Sequence, residues 1–323
     1  MTTATIPVVD LDRPSSVVAG ELDEVGHESG FFQIVGHGLD DAMLTRTWSA
    51  VRAFFDLPLA DRRSVQRPQP NYPFGYVAMA GETLSNSLGE GGLADLKETF
   101  NIGPVDSPRL PPNDPDEALL FSPNLWPSAL PELRPALENY FREMDGLAQK
   151  MMGLFAVGLG LDAQFFADKI DRGTSALRAL NYPDQATPPV PGQLRAGAHT
   201  DYGTLTILRQ DNAPGGLEVL DHRTNSWVPV PSVPNAFVIN VGDMLAQWTN
   251  DRWCSTLHRV VNPPSSPPGS SLSSRRQSMA FFHNANFNCE VACLPTCTSP
   301  VNPPRYAPVL AGPHLVSKFR RTT

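Results

Sequence analysis

The spacing of apolar and polar positions divides the chain into two textures that change near residue 176. In the first, strand-like runs alternate with helical periods. "IPVVDL" (6–11) and "FFQIVGHGL" (31–39) read as strands, the second buried and ended by its glycines. Between them "SSVVAGELDEVGHESG" reads as a helix capped by Ser15 or Ser16 that stops near Gly26 or Gly30. "DDAMLTRTWSAVRAFFDLP" has helical spacing and ends before Pro58, whose ring cannot continue a helix. Residues 66–95 read as an irregular loop region, "LKETFNIG" as a strand entering the core, and Pro104 to Pro131 as a proline-rich loop. The longest helical signal follows. Leu133, Leu137, Phe141, Met144, Ala148, Met151 and Phe155 form one packing stripe, closed by Gly158 and Gly160.

Beyond residue 176 the periods shorten. "SALRALNYP", "HTDYGTLTILRQD", "GGLEVL", "SWVPVP", "AFVINVG", "TLHRVV" and "RQSMAFFHN" are separated by turn residues, which predicts a sandwich or barrel. The simplest architecture is a jelly roll receiving helices on one side, a β-rich α+β fold. "NPPSSPPGSSLSS" (262–274) reads as a flexible loop between two strands, not a domain linker. The expected organisation is one compact unit, with an N-terminal helix–strand region (1–120) and a jelly-roll region carrying the long support helix (121–323).

Composition narrows the partners. The chain has 323 residues, 41% of them hydrophobic, enough for a substantial core. A net charge of −8 without a block of Lys or Arg argues against nucleic acid and for a small molecule. No apolar run approaches a membrane span and the N-terminus lacks a signal-peptide pattern, so the expectation is a soluble cytoplasmic protein, a monomer or weak homo-oligomer. Cys289, Cys293 and Cys297 do not match a standard zinc spacing and read as ordinary reduced thiols.

The chemistry is concentrated in "GAHTDYGTLTIL". On a strand, residues i and i+2 share a face, so His199 and Asp201 are expected to aim at one point. His258, in a second β-like run, is the histidine placed to join them. Two imidazoles and a carboxylate leave coordination positions open, which suits a non-haem Fe(II) rather than a closed structural zinc. His27, His37, His222 and His314 have no such context, and His283 reads as a core or hydrogen-bonded residue. Arg276 and Ser278 are again i and i+2. A guanidinium beside a hydroxyl is suited to grip a carboxylate. Alternation carries the same inward face to Ala280, Phe282 and Asn284, and backward from Tyr182 to Leu180 and Arg178. Phe282 is expected to pack on the apolar body of a substrate, with Arg178 or Asn284 fixing a polar group. These two strands are expected to flank the metal from the side opposite the Arg276 clamp.

Across nearly its whole length the chain resembles the isopenicillin N synthase-like family of 2-oxoglutarate- and Fe(II)-dependent dioxygenases. The resemblance rests on "IPVVDL", "SGFFQIVGHGL", "NYP", "AHTDYGTLTIL", "GGLEV", "FVINVGDML", "LHRVVNP" and "RRQSMAFFHN" in that order. It implies a double-stranded β-helix and Fe(II) on His199, Asp201 and His258. It further implies that Arg276 and Ser278 hold the far carboxylate of 2-oxoglutarate and that Tyr182 hydrogen-bonds the same co-substrate. The implied reaction is O2-dependent oxidation, chiefly hydroxylation, of a small secondary metabolite, with ascorbate a useful addition in vitro. The insertion "SSPPGSSLSS" is longer than the family usually carries. Ring-closing oxidases that do without 2-oxoglutarate share the same ligands and Arg-x-Ser motif, so they stay open as an alternative. A metabolite-binding jelly roll with a decayed iron site is the non-enzymatic alternative. The irregular N-terminal segments and the C-terminal tail are expected to build the pocket lid.

Overall fold

A computed structural model describes residues 5–69, 71–89, 92–106, 114–185, 188–264 and 273–320. The chain opens with β1 (Val8–Asp10), α1 (Ser15–Glu28), β2 (Phe31–Val35), α2 (Asp41–Asp56) and the short α3 (Leu59–Arg63). β3 (Gly75–Val77) and β4 (Glu98–Ile102) follow, then α4 (Pro115–Leu120), the long α5 (Leu133–Gly158) and α6 (Ala167–Ile170). The second texture contains β5 (Ala176–Tyr182), β6 (Ala196–His199), β7 (Leu205–Gln210), β8 (Leu217–Asp221), β9 (Ser226–Pro229) and β10 (Phe237–Val241). After α7 (Asp243–Trp248) come β11 (His258–Val260), β12 (Arg276–His283), β13 (Glu290–Val291), β14 (Val309–Leu310) and α8 (Ala311–Phe319).

Two sheets form the jelly roll. The larger runs β1-β2-β10-β7-β12-β5-β4-β3, and the smaller β6-β11-β8-β9. The larger sheet shows why alternation was informative. Phe100, Leu177, Ala179, Ile207, Ile239, Met279 and Phe281 turn outward into a core shared with α1, α2 and α5. All seven residues of the α5 stripe are buried there, and Phe281 meets Phe141 edge-on at 5.0 Å between ring centres. The intervening positions, Leu180, Tyr182, Val238 and Ala280, turn inward and pack with Ala196, Leu217, Val219 and Val260 of the smaller sheet. Burying both faces fixes the register, because a one-residue slip would exchange core and interior.

Several local expectations needed correcting. Neither Ser15 nor Ser16 caps α1; Pro14 precedes the helix and no side chain caps it. By contrast, Asp40 caps α2 through Ala42 N–H and Met43 N–H. The stretch 66–95 is not wholly irregular, since it contains β3 and a 3-10 turn at Leu84–Leu88. Within the proline-rich segment Asp114 and Pro115 start α4, a capping residue followed by a proline whose fixed φ suits the first turn. Of the loop 262–274, residues 265–272 lie outside the described residues. The four cysteines are free, and burial raises each thiol pKa, as expected for unreactive packed residues.

Candidate metal centre and co-substrate clamp

His199 ends β6 and lies directly opposite His258 of β11 in the ladder, with ring centres 4.3 Å apart. Asp201 does not share their strand. It sits in the turn between β6 and β7, so the strand-alternation reading of His199 and Asp201 is corrected. The turn nevertheless delivers the carboxylate: Asp201 Oδ1 is 3.9 Å from His199 Nε2 and 3.7 Å from His258 Nε2. One ligand atom from each residue falls within 4.8 Å of the others.

Hydrogen bonds decide which atoms point inward. His199 Nδ1 donates to the Gly197 carbonyl at 2.8 Å and His258 Nδ1 to the Thr256 carbonyl at 3.1 Å, leaving each Nε2 lone pair free. Asp201 Oδ2 accepts from Thr206 Oγ1 at 2.5 Å and Asn240 Nδ2 at 2.7 Å, leaving Oδ1 for a metal. Burial, with His258 beside it, pushes the His199 imidazole down to about 3, so it is neutral and can ligate. Burial opposes the charge on Asp201, but the facing imidazoles and the two hydrogen bonds outweigh it and hold the carboxyl below its ordinary value. Two imidazole nitrogens and one carboxylate oxygen, with no thiolate and no fourth protein ligand among the described residues, fit Fe(II) with open positions. The turn needs Gly203: a Cβ there would fall 2.3 Å from Asn284 Oδ1 and 2.5 Å from the His283 carbonyl oxygen.

The clamp lies on β12 and its neighbours. Arg276 is 1% exposed and has no carboxylate partner among the described residues. Its Nη1 is 3.3 Å from Ser278 Oγ, its Nη2 donates to Gln210 Oε1 at 2.7 Å, and its guanidinium lies 5.0 Å from the centre of the Tyr182 ring. Tyr182 stands opposite Arg276 in the β5–β12 ladder. A second buried guanidinium, Arg195, faces the same ring at 5.8 Å and donates to the Pro214 and Ser274 carbonyls. Burial, with Arg276 nearby, lowers it to about 10. A buried cation without a protein anion is costly unless a ligand supplies the charge.

The metal cluster and clamp open into one cavity of ≈ 210 Å³, which Arg178, Leu180, Phe282 and Asn284 also line. Arg178 and Phe282 do not face the metal from the side opposite the clamp. They share β5 and β12 with Tyr182 and Arg276, so one strand pair carries the clamp at one end and Arg178 and Phe282 at the other. Arg178 does not turn to solvent. Its Nε donates to Asn101 Oδ1 at 3.0 Å, its Nη1 to Glu82 Oε2 at 3.2 Å, and it lies over the Phe282 ring at 5.8 Å. Asn284 directs its Nδ2 to the Thr174 carbonyl. His283 is no ligand; its Nδ1 is 2.7 Å from Thr204 Oγ1 and its ring is fully buried.

Sequence reading missed Thr206, Asn240 and Gln210, although each sits on an inward position of a strand it recognised. It also missed Glu82, Asp95, Lys97 and Asn101. Glu82 joins Arg67 at 2.7 Å as well as Arg178, and Lys97 joins Asp95 at 2.6 Å. Burial opposes the Glu82 charge, but Arg178, Lys97 and Arg67 bring the carboxyl down to about 2. The cavity lining also includes Phe74 and Leu84 from the N-terminal half and Leu315 and Phe319 from α8.

Residues 174–285 match the 2OG-Fe(II) oxygenase superfamily, and residues 6–129 match the family described as non-haem dioxygenase in morphine synthesis, N-terminal. The chain is 34% identical over 303 residues to validamycin A dioxygenase of Streptomyces hygroscopicus subsp. limoneus, covering 90% of this chain and 80% of the relative. It is 32% identical over 340 residues to homoarginine-6-hydroxylase of Oryza sativa subsp. japonica, covering 97% and 96%. The crystal structure of a full-length Neurospora crassa protein in complex with alpha-KG superposes with a TM-score of 0.84 at 29% identity, covering 98% and 95%. The chain therefore belongs to the 2OG-Fe(II) oxygenase superfamily. It is an Fe(II)- and 2-oxoglutarate-dependent dioxygenase with a double-stranded β-helix core. Among the described residues no helix is long and apolar enough to cross a membrane.

Proposed function

We propose that the enzyme hydroxylates a small secondary metabolite, with Fe(II) on His199, Asp201 and His258 and the far carboxylate of 2-oxoglutarate on Arg276 and Ser278. The convergence of the three ligand atoms beside an uncompensated buried guanidinium carries this reading. Relatives named for validamycin A and homoarginine, and the Neurospora crassa structure solved with alpha-KG and thymine, support a small-molecule substrate.

Bound in this site, Fe(II) with 2-oxoglutarate and O2 supplies the oxidising power, and the co-substrate leaves as succinate and CO2. The protein supplies geometry. Thr206 and Asn240 fix the Asp201 carboxylate, and the Gly197 and Thr256 carbonyls fix the two imidazoles. Gln210 and Tyr182 hold the Arg276 fork in one plane for a carboxylate. Leu180 and Phe282 give the substrate an apolar seat that keeps water away, while Arg178 and Asn284 face its polar groups. The test is product formation measured together with succinate. One succinate per product, abolished by a chelator and restored by Fe(II), is expected. Product without succinate would contradict this reading and favour an oxidase that does not consume 2-oxoglutarate.

A further inference from the structure

The cavity wall farthest along β5 from the clamp carries a charge imbalance that the metal chemistry leaves untouched. Arg67, Lys97 and Arg178 surround the carboxylates of Glu82 and Asp95, three cations against two anions. Lys97, Glu82 and Asp95 are each at most 8% exposed, so solvent does little to screen them. The neighbouring Arg62 is matched separately by Glu98. Asp95 is fully engaged, accepting from Lys97, Leu84 N–H and Gly197 N–H. At the other end the proposed ligands balance the charge: a divalent metal, Asp201 and Arg276 are matched by the two carboxylates of 2-oxoglutarate. Arg195 lies against Tyr182 and is not part of the cavity wall.

The surplus charge reaches the cavity through Arg178. Its Nε and Nη1 are engaged by Asn101 and Glu82, and its Nη2 has no partner among the described residues. Asn101 adds a second donor. Because its Oδ1 accepts from Arg178, the other amide atom must be the NH2, and that nitrogen is buried without a partner among the described residues, in a residue that is 3% exposed. Both residues line the cavity together with Glu82, Thr174 and Asn284, beside an apolar stretch of Phe74, Leu84, Leu180 and Phe282. A neutral or cationic ligand that displaced water here would leave the surplus guanidinium charge and the amide donor unanswered.

We infer that the substrate is an organic carboxylate with an apolar body, its carboxylate received by Arg178 and Asn101 and its carbon skeleton lying on Phe282. This rests on the hydroxylase reading, and the test separates the two. Calorimetry on the Fe(II)-loaded protein under anaerobic conditions first measures 2-oxoglutarate binding, whose absence would count against the function proposed above and not against the charged wall. Matched probes are then titrated into the 2-oxoglutarate complex and into the metal-free protein: phenylacetate, 3-phenylpropionate and 4-phenylbutyrate, each beside its primary amide and the corresponding amine. At least one carboxylate is expected to bind about thirty-fold or more tightly than its amide and amine, the size expected for one buried charge pair. Arg178→Met should erase that preference and Arg178→Lys should keep part of it, with the thermal midpoint confirming that each variant folds. If the amides or amines bind as well as the carboxylates, if no carboxylate binds, or if folded Arg178→Met keeps the preference, the inference is overturned.

Discussion

The two ends of the cavity are built in opposite ways. At the metal and clamp end, functional groups fall on strands or within two residues of one, and backbone geometry aims them. His199 and His258 are opposed in one ladder, as are Tyr182 and Arg276 in another. At the other end Arg178 and Asn101 are also opposed in a ladder, but the charged groups around them, Arg67, Glu82, Asp95 and Lys97, arrive from outside the strands in the N-terminal half. Rigid ladders keep the reaction chemistry in place, while a wall whose charges come from loop segments can change its chemistry without moving the metal. The cost of such a wall is a buried ion network in which every member needs a partner.

The largest effect that can break this contrast is at the ladder end. Replacing His258 or Asp201 with alanine should abolish Fe(II) binding, read by metal analysis after desalting, and take turnover to background while the circular dichroism stays native. Retained iron in the His258 variant would contradict the ligand set. Arg276→Leu comes next. Losing one partner of a buried charge pair costs about 3–5 kcal/mol, so the KM for 2-oxoglutarate should rise about a hundred-fold or more, measured by succinate formation.

His283 offers a control imidazole on the same strand as Arg276, without a carboxylate beside it. Burial pushes it down to about 4. An unfolded histidine protonates below its ordinary value near 6.5, whereas the folded one resists until about 4. The His283 contribution to the stability of the metal-free protein should therefore fall as pH drops from 6.5 towards 4 and level off below that, a loss of about 3 kcal/mol from this group. Denaturant melts of His283→Gln should lack that share of the slope; an unchanged slope would mean that other groups carry it. The smallest effect concerns Asn240. Removing one hydrogen bond that orients the Asp201 carboxylate should weaken Fe(II) affinity about 10- to 100-fold, with 2-oxoglutarate affinity at saturating metal little changed.

The same contrast explains what was legible in the sequence. Alternation exposed Arg276, Ser278, Tyr182, Arg178 and Phe282 because a strand converts spacing into direction. It placed Asp201 correctly at the metal for a partly wrong reason, since a turn and not a strand brings it there. Thr206, Asn240 and Gln210 were within reach, as polar residues on inward positions of apolar strands. Glu82, Asp95 and Lys97 were not. Glu82 and Asp95 bracket a glycine-containing segment with no period, Lys97 stands at the edge of a strand run, and only tertiary packing brings them to Arg178. The short helix α4 was hidden for a related reason: six residues are too few to show a helical period.

The most direct measurement compares the two ends in one experiment: the affinity of the Fe(II)-loaded protein for 2-oxoglutarate, by anaerobic calorimetry, in wild type, Arg276→Leu and Arg178→Met. One equivalent should bind to the wild type, about a hundred-fold more weakly to Arg276→Leu, and with little change to Arg178→Met. Equal weakening in both variants, or a larger loss in Arg178→Met, would contradict the assignment of co-substrate and substrate to opposite ends of the strand pair.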